Sequence, residues 1–263
     1  MAQPAAQPQG SASQPRASEV RSRVTETLVD SSLDDDPAVG KMVAVYSPKV
    51  RELDVLIGRL HGELKKGGTG AGSMGNFVTD GMRWQATTNA GKTIALAVTN
   101  AGGLRRSTIV EGELRVRDIF ELLPFENALL TVDLTGEQLK RLLETVLTAN
   151  EAQSGARVVY RTTADKKNEA QNIKLRETTG DNEIDPTRTY TIVTIDYLYN
   201  VGGPRYSILR EGTNMKMLGI TLREAVINYV KSETAAGRDI KPNLDGRFSM
   251  DQAISTTGEA KPE

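Results

Sequence analysis

The sequence predicts an α+β domain in which helices pack on a mixed, largely antiparallel sheet. Thr135 and Thr221 each precede a Gln or Glu by three positions, which is the pattern that caps the first turn of a helix. An apolar stripe at helical spacing follows each of them. Between them, short apolar runs are separated by polar turns, as in strands joined by hairpins. Helices interleaved with such strands are typical of the α+β class.

Three helices are predicted before the first of these capping patterns. The acidic run that ends at Pro37 has the form of a helix start. Apolar residues at helical spacing then predict one long amphipathic helix, with Pro48 as the place for a kink. The apolar positions of residues 74–88 predict another helix, and a third is expected from Asp118 to the stop at Pro124. The residues of the long stripe are Val50, Leu53, Ile57, Leu60 and Leu64.

Apolar runs of strand length account for the sheet. Residues 94–98 form a continuous apolar run, which predicts a buried strand. Residues 129–134 alternate as a half-buried strand does. Three later runs are separated by polar turns, and this favours antiparallel pairing. These runs are residues 158–162, 173–176 and 190–195.

The composition narrows the classes of partner and of chemistry. With 33 basic and 34 acidic residues among 263, the net charge of −1 offers no general attraction to nucleic acid, so we expect no nucleic-acid partner. The absence of cysteine from the sequence excludes disulfides, thiolate metal sites and cysteine nucleophiles. No apolar run approaches the roughly 18 residues of a membrane span, so no span is expected.

Composition also divides the chain into three parts. Residues 1–36 form a polar leader, rich in Pro, Gln, Ala and Ser, and a short charged segment, and we expect this leader to be disordered. The folded domain is predicted over residues 37–250, and residues 251–263 are expected to form a flexible tail. A polar leader without the apolar middle of an export signal is typical of an exported chain after signal removal. We therefore expect a periplasmic or extracellular location.

A single histidine limits the catalytic chemistry of the chain. His61 lies within the predicted long helix and has no nucleophile motif around it, so we interpret it as a surface or packing residue. A dinuclear metal centre needs several His, Asp or Asn ligands that converge. We therefore predict no catalytic residue, no metal ligand and no cofactor in this chain.

Loops at the ends of the predicted elements are the remaining candidates for a binding site. The motif SMGNFVTDGMRW opens the helix predicted at residues 74–88, and TNAGGLR ends the strand predicted at residues 94–98. LLPFEN spans the helix stop at Pro124, and DYLYNVGGPRY ends the strand predicted at residues 190–195. Each motif alone is typical of an ordinary turn or cap.

Taken in order, and together with LTGEQLKRLLE and SGARVVY, these motifs resemble the C-terminal domain of the 5′-nucleotidase family over roughly residues 39–249. In that family an N-terminal metallophosphoesterase domain holds two metal ions and hydrolyses the substrate, while the C-terminal domain binds its nucleoside part. The resemblance therefore implies the C-terminal fold and a nucleoside or nucleotide ligand. It implies divalent metals only on a separate partner metallophosphoesterase chain, since the metal-bearing domain has no counterpart in this sequence.

The resemblance also implies which residues hold the substrate. Two aromatic rings, Phe125 and Tyr197, would stack on a base, and Arg105 would donate its planar fork to ribose or phosphate oxygens. The glycines beside Asn100 would let the backbone approach the ligand. The implied substrate-binding residues are Asn100, Gly102, Gly103, Arg105, Phe125, Asn127 and Tyr197.

The sequence departs from the family pattern at two loops. The late loop of the family reads GGDG and its aspartate binds the ribose hydroxyls, whereas this chain has Pro204 after the glycine pair. One residue is inserted before that pair, which leaves either Tyr197 or Tyr199 facing the site. The charged residue that usually precedes the GN motif has no counterpart in residues 68–73, and the lysines at 65–66 lie too far back to replace it.

These observations leave alternative functions open. In the first, the chain is a nucleoside- or nucleotide-recognition domain, inactive alone, that supplies the substrate-binding half of a split hydrolase. In the second, it is a non-catalytic structural or interaction module that has kept the fold and lost ligand binding, which Pro204 favours. A chain cut from a longer two-domain enzyme is a further explanation for the missing metal-bearing domain.

Overall fold

A computed structural model of the chain describes residues 22–26, 28–30, 32–177 and 180–251. The chain divides into one unit that ends at Val45 and a second unit that begins at Tyr46. Residues 1–21 of the predicted leader, and the predicted tail except for Asp251, lie outside the described residues.

The described residues form seven α-helices and thirteen β-strands, joined in places by short 3₁₀ turns. No helix among these described residues is both long and apolar enough to cross a membrane. The helices are α1 (Pro37–Leu53), α2 (Gly72–Ala90), α3 (Val116–Leu122), α4 (Gly136–Thr148), α5 (Asp196–Asn200), α6 (Ile208–Glu211) and α7 (Leu222–Ala235). The strands up to α4 are β1 (Leu56–Leu60), β2 (Leu64–Lys65), β3 (Leu96–Thr99), β4 (Thr108–Ile109), β5 (Gly112–Arg115) and β6 (Ala128–Thr135). The later strands are β7 (Ala152–Ser154), β8 (Ala156–Thr162), β9 (Asn168–Glu177), β10 (Gly180–Glu183), β11 (Thr189–Ile195), β12 (Thr213–Thr221) and β13 (Phe248–Met250).

The central sheet has five strands in the order β12-β6-β11-β3-β7. In this sheet β11 runs parallel to β3, and the other neighbours are antiparallel. A second sheet, β10-β9-β8-β13, contains the antiparallel β8–β9 hairpin, and β13 joins it in parallel. Two short antiparallel pairs, β1-β5 and β2-β4, complete the described strands. The predicted α+β fold with a mixed, largely antiparallel sheet is confirmed.

The hydrophobic core lies against the central sheet. α2 packs on β3 and β7, α4 packs on β6, and α7 packs on α2. Fully burying one large apolar side chain contributes about 1.5–3 kcal/mol, so the buried side chains of the central strands contribute strongly to the stability of the domain. Their fully buried residues include Leu96, Val98, Val132, Ile192 and Val193.

Side-chain caps fix the starts of the two helices that were predicted from capping patterns. At α4, Thr135 N donates to Gln138 Oε1 at 2.9 Å, and Gln138 N donates to Thr135 Oγ1 at 3.3 Å. At α7, Thr221 and Glu224 exchange the same two hydrogen bonds, at 2.8 and 3.2 Å. Both capping boxes are confirmed, as is the helix start after the acidic run, since α1 begins there.

The predicted long helix through residues 50–64 is wrong beyond the end of α1. The chain leaves the helix at Leu53 and then forms β1, which pairs antiparallel with β5. Gly58 in β1 lies so close to α7 that a Cβ atom there would stand 2.6 Å from Val230 Cγ1. Gly62 then takes a φ of +103°, which a right-handed helix does not allow. The apolar spacing fits a helix by coincidence, because two strands and a turn place Ile57, Leu60 and Leu64 in the core.

A buried ion-pair network joins the C-terminal loop to α2. Arg247 is 6% exposed, and its two Nη atoms donate to the two carboxylate oxygens of Asp80 at 3.0 Å each. Its Nε donates to Asp245 Oδ1 at 2.9 Å, and Asp245 also pairs with Arg176. Burial acts to raise the pKa of Asp245, but the hydrogen bonds and charges of the two arginines outweigh it and lower that pKa. The fold therefore holds this carboxylate in its ionised form.

We expect Asp245→Asn to destabilise the domain at neutral pH by roughly 3 kcal/mol, because buried Arg247 loses one of its two carboxylate partners. The folded-state pKa of Asp245 lies below its ordinary value of 3.8, so its contribution is present above that value and is lost as the pH falls through the folded-state pKa. The free energy of unfolding of the variant should therefore fall less steeply on acidification, as measured by urea unfolding across the acidic range.

The matched control for this variant is Asp165→Asn, in the exposed turn between β8 and β9, which should leave the unfolding free energy and its acid dependence unchanged. Equal acid dependence in the parent and in Asp245→Asn would contradict the role given to the network.

Candidate functional site

Three loops meet at one edge of the central sheet. β3 and β11 run parallel, so their carboxyl ends, which are followed by Asn100 and Asp196, lie at the same edge. β6 runs antiparallel to β11, with Leu129 opposite Ile195, so the loop before β6 reaches that edge as well. In sheets with parallel strands, ligands commonly bind in the crevice outside the carboxyl ends of those strands.

These loops form an open cleft of about 340 Å³, which we call the cleft. Residues after β3, before β6 and after β11 all contribute to its wall. The volume lies within the range of small-molecule sites. The structure thus brings together every residue that the resemblance implied. The lining residues are Asn100, Gly102, Gly103, Arg105, Phe125, Asn127 and Tyr197.

Two aromatic side chains stand open in the cleft. Phe125 is 50% exposed and Tyr197 is 45% exposed, although aromatic side chains usually bury most of their surface in a folded domain. Tyr199, in contrast, packs partly against the core. Tyr197 rather than Tyr199 therefore faces the cleft, which decides the choice that the sequence left open.

The loop after β3 presents an unpaired acceptor. Asn100 Oδ1 is buried, and no hydrogen-bond donor reaches it within the described residues. A Cβ atom on Gly103 would stand 3.0 Å from this oxygen, so glycine leaves the amide its space. A buried acceptor that stays unpaired costs about 1–3 kcal/mol. A ligand donor that reached the oxygen would remove this penalty.

Arg105 is the charged residue of the cleft lining. Its Nη1 lies 3.5 Å from Gly102 O, and in the described part of the chain this is the one hydrogen bond that its side chain makes. A guanidinium has five N–H donors in a planar fork, so most of them remain open to a ligand. The backbone of Arg105 is fixed separately, since its N donates to Leu122 O at 2.8 Å.

Residues 51–211, more than half of the chain, match the family model of the 5′-nucleotidase, C-terminal domain. The chain belongs to this family. The trifunctional nucleotide phosphoesterase protein YfkN of Bacillus subtilis is 29% identical over 232 residues, which cover 85% of this chain and 15% of that protein. The cell wall protein Lmo0130 of Listeria monocytogenes is 26% identical over 183 residues, which cover 66% of this chain and 23% of that protein.

Solved structures share the fold of this 5′-nucleotidase C-terminal domain. The 5′-nucleotidase precursor from Thermus thermophilus matches with a TM-score of 0.68 and 24% identity, over 82% of this chain and 43% of that chain. At this identity the likeness concerns the fold alone. The chain spans less than half the length of the Thermus protein and about a seventh of the Bacillus relative.

A carboxylate that the sequence did not single out links two loops of the nucleotidase-type domain. Glu151 Oε2 accepts from Ala101 N at 2.5 Å, and Glu151 Oε1 accepts from Tyr206 OH at 2.9 Å. Burial and the negative charge of Glu151 raise the pKa of Tyr206, so the phenol keeps the proton that it donates. The two partners lie 50 and 55 residues away along the chain, beyond the reach of any local pattern. Glu151 therefore positions the loop after β3.

The glycine pair before Pro204 leads to a depression that is separate from the cleft. Pro204 and Arg205 line this depression, of about 360 Å³, against α4. Gly203 before them takes a φ of +70°, a backbone conformation that favours glycine. The late loop is thus linked to the cleft through the bond between Tyr206 and Glu151, and not through the position where the family has its aspartate.

Lys66 reaches the loop after β3, although it is not among the residues that line the cleft. Its Nζ donates to Leu104 O at 2.8 Å. The cause is the short β2–β4 pair, which brings the segment of Lys66 beside the chain that follows the loop. Lys66 therefore supports the backbone next to Arg105, and a sequence pattern without the strand pairing could not show this contact.

His61 occupies the surface, as expected, although it follows β1 and does not lie in a helix. Its side chain is 65% exposed, and its Nδ1 lies 3.4 Å from Glu111 Oε1. Within the described ranges, His, Cys, Asp and Glu side chains do not gather in groups of three or more that could hold a metal ion.

We expect Glu151→Gln to loosen the loop after β3. Glutamine carries no charge and keeps one acceptor oxygen, so Ala101 N loses its bond to a charged group and Tyr206 OH has to accept from the amide nitrogen. A lost hydrogen bond to a charged group costs roughly 1.5–3 kcal/mol, which predicts amide hydrogen exchange at Ala101 that is faster by about tenfold or more. Exchange in the central strands should stay unchanged, as it should throughout the control Glu144→Gln on the exposed face of α4. Unaltered exchange at Ala101 would refute the positioning role.

Proposed function

We propose that this chain is a nucleoside- or nucleotide-recognition domain that supplies the substrate-binding half of a split hydrolase. The observation that carries the proposal is the cleft, where the open rings of Phe125 and Tyr197 share one opening with Arg105 and with the buried, unpaired Oδ1 of Asn100. Aromatic faces, a guanidinium group and an unpaired hydrogen-bond acceptor match the base, the oxygens and the N–H groups of a nucleotide.

Each part of a nucleotide has a partner of matching chemistry in the cleft. The base stacks on the aromatic rings, an interaction worth ~1–3 kcal/mol per base. An amino or ring N–H of the base donates to Asn100 Oδ1, which removes the penalty of the unpaired acceptor. Arg105 donates to ribose or phosphate oxygens, which its planar fork suits better than the point charge of lysine does.

Hydrolysis is assigned, in this proposal, to a separate metallophosphoesterase chain that carries the divalent metals. The sequence has one histidine and no cysteine, whereas a two-metal phosphoesterase centre needs several converging ligands. The names of the relatives support nucleotide chemistry, since one is a nucleotide phosphoesterase and another a 5′-nucleotidase precursor. This chain contributes the binding step and remains inactive alone.

The same proposal covers the extent of the domain and its location. We place the recognition domain at residues 37–250, with a leader before it and a tail after it. We place the protein in the periplasm or outside the cell, and the name of the Listeria cell wall protein supports this location.

A structural or interaction module that has lost its ligand is the second candidate. Pro204 has no side-chain acceptor at the position where the family's aspartate binds ribose, and it lines a depression separate from the cleft. Under this alternative, Arg105→Gln changes the stability of the fold and no nucleoside binds to the parent.

Titration calorimetry with adenosine and AMP should detect saturable binding to the parent chain. Phe125→Ala and Tyr197→Ala should each weaken the affinity by about tenfold or more, because each removes one stacking face. Tyr199→Phe is the matched control and should leave the affinity unchanged, since Tyr199 packs partly against the core.

The same titration with Arg105→Gln separates the two roles of the guanidinium. A larger loss for AMP than for adenosine assigns it to phosphate, and equal losses assign it to ribose. A folded parent chain that binds neither adenosine nor AMP would reject the recognition function and favour the second candidate.

A phosphatase assay with AMP and divalent metal should show no turnover by the purified chain. Mixing the chain with a candidate metallophosphoesterase should raise the rate of phosphate release above that of the partner alone, with a lower KM, because this chain adds substrate binding. Phe125→Ala should remove the gain. Metal-dependent phosphate release by the purified chain alone would show that hydrolysis has been assigned to the wrong polypeptide.

A further inference from the structure

A second polar cavity lies at the opposite edge of the central sheet. The cleft follows the carboxyl ends of β3 and β11, whereas this cavity is lined by residues that precede β3 and that begin β11. Its volume is about 550 Å³. β3 has four residues, so at about 3.3 Å per residue roughly 13 Å of strand separates the two openings.

Three arginines from separate segments line this cavity, which we call the arginine cavity. Arg83 comes from α2, Arg176 from β9 and Arg188 from the residue before β11. Glu177 also lines it, and that carboxylate accepts a hydrogen bond from Asn182 Nδ2 at 3.1 Å. The lining thus carries more positive than negative charge.

The guanidinium groups behind the cavity wall outnumber their carboxylate partners. Arg247 pairs with both Asp80 and Asp245, and Asp245 also pairs with Arg176. Arg83 Nε donates to a backbone carbonyl at 2.8 Å, and within the described ranges its guanidinium forms no ion pair. With Glu177 included, three carboxylates stand among four guanidinium groups, those of Arg83, Arg176, Arg188 and Arg247.

Arg83 lies nearest to the excess of positive charge. Burial lowers the pKa of Arg83, and the charges of Arg247 and Arg176 lower it further, while the carboxylates of Asp80 and Glu177 oppose these effects. Arg188 is exposed, and its guanidinium carbon lies 5.1 Å from the centre of the Tyr190 ring. It forms no ion pair among the described residues, although its charge helps to lower the pKa of nearby Asp185. An anion in the arginine cavity would offset the charge on both arginines.

We propose that the arginine cavity binds a phosphate group, either as inorganic phosphate or as part of a small phosphorylated molecule. Arg83 and Arg188 supply planar forks that match phosphate oxygens, and the Thr189 hydroxyl in the same lining adds a donor. The charge deficit described above favours an anion, and the volume accommodates more than a single phosphate. The site is independent of the nucleoside cleft and does not rest on the function proposed for it.

The test is a titration of the full chain with inorganic phosphate, followed by calorimetry and by the arginine Nε–H resonances in NMR. Saturable binding should shift the resonances of Arg83 and Arg188. Arg188→Gln should lower the affinity by about tenfold or more, because a charge-assisted contact is lost. Arg161→Gln is the matched control, since Arg161 is an exposed arginine that pairs with Glu169 on the β8–β9 hairpin, and it should leave the affinity unchanged.

Further variants separate a loss of phosphate binding from misfolding and from binding in the cleft. Arg188 is exposed, so Arg188→Gln should fold normally, and Arg83→Gln is used only after circular dichroism confirms its fold. Arg105→Gln should leave phosphate binding at the arginine cavity unchanged. In that variant, ribose 5-phosphate is then added to the complex with inorganic phosphate. Displacement of the inorganic phosphate identifies a phosphorylated molecule as the ligand, and the absence of displacement identifies inorganic phosphate. No saturation at millimolar phosphate, or equal affinity in Arg188→Gln and the parent, would overturn the proposal.

Discussion

The parallel pairing of β3 with β11 is the constraint on which the cleft depends. The two strands align Leu96 with Ile192 and Ala97 with Val193 in the centre of the buried sheet. The Thr194 hydroxyl, itself buried, adds a hydrogen bond to Val98 O at 3.1 Å. Because parallel strands end at the same edge, this pairing brings together loops that are almost a hundred residues apart in the chain. The side chains of the cleft need no contact with one another, since the sheet places them.

Sequence patterns predicted the elements whose stability is local. The capping boxes at Thr135 and Thr221 involve residues three apart, and both helices begin where these patterns place them. The strand β1 was not predicted, because the contacts that form it are not local. Its apolar residues fit helical spacing, and what makes the segment a strand is its antiparallel pairing with β5, where Leu56 lies opposite Arg115. That pairing joins residues far apart in the sequence and leaves no local signal.

The residues of the candidate site also fall into those that sequence patterns revealed and those that they did not. The seven lining residues came from motifs in a fixed order, and the structure gathers all of them around one opening. Glu151 escaped notice and Lys66 was set aside because each holds the cleft loop through one backbone group, at Ala101 N and Leu104 O respectively. A side chain that supports a backbone atom from a distant segment carries no recognisable motif. It becomes visible only when the strand pairing is known.

The double role of Glu151 has a consequence for how this domain can change in evolution. One carboxylate serves both a main-chain N–H of one loop and the phenol of Tyr206 in another. Replacement of the acid leaves two groups in need of new acceptors, while loss of the phenol frees one carboxylate oxygen. Homologues should therefore keep Glu151 and Tyr206 as a co-varying pair, and a relative with only one of them should show a compensating polar residue beside the other.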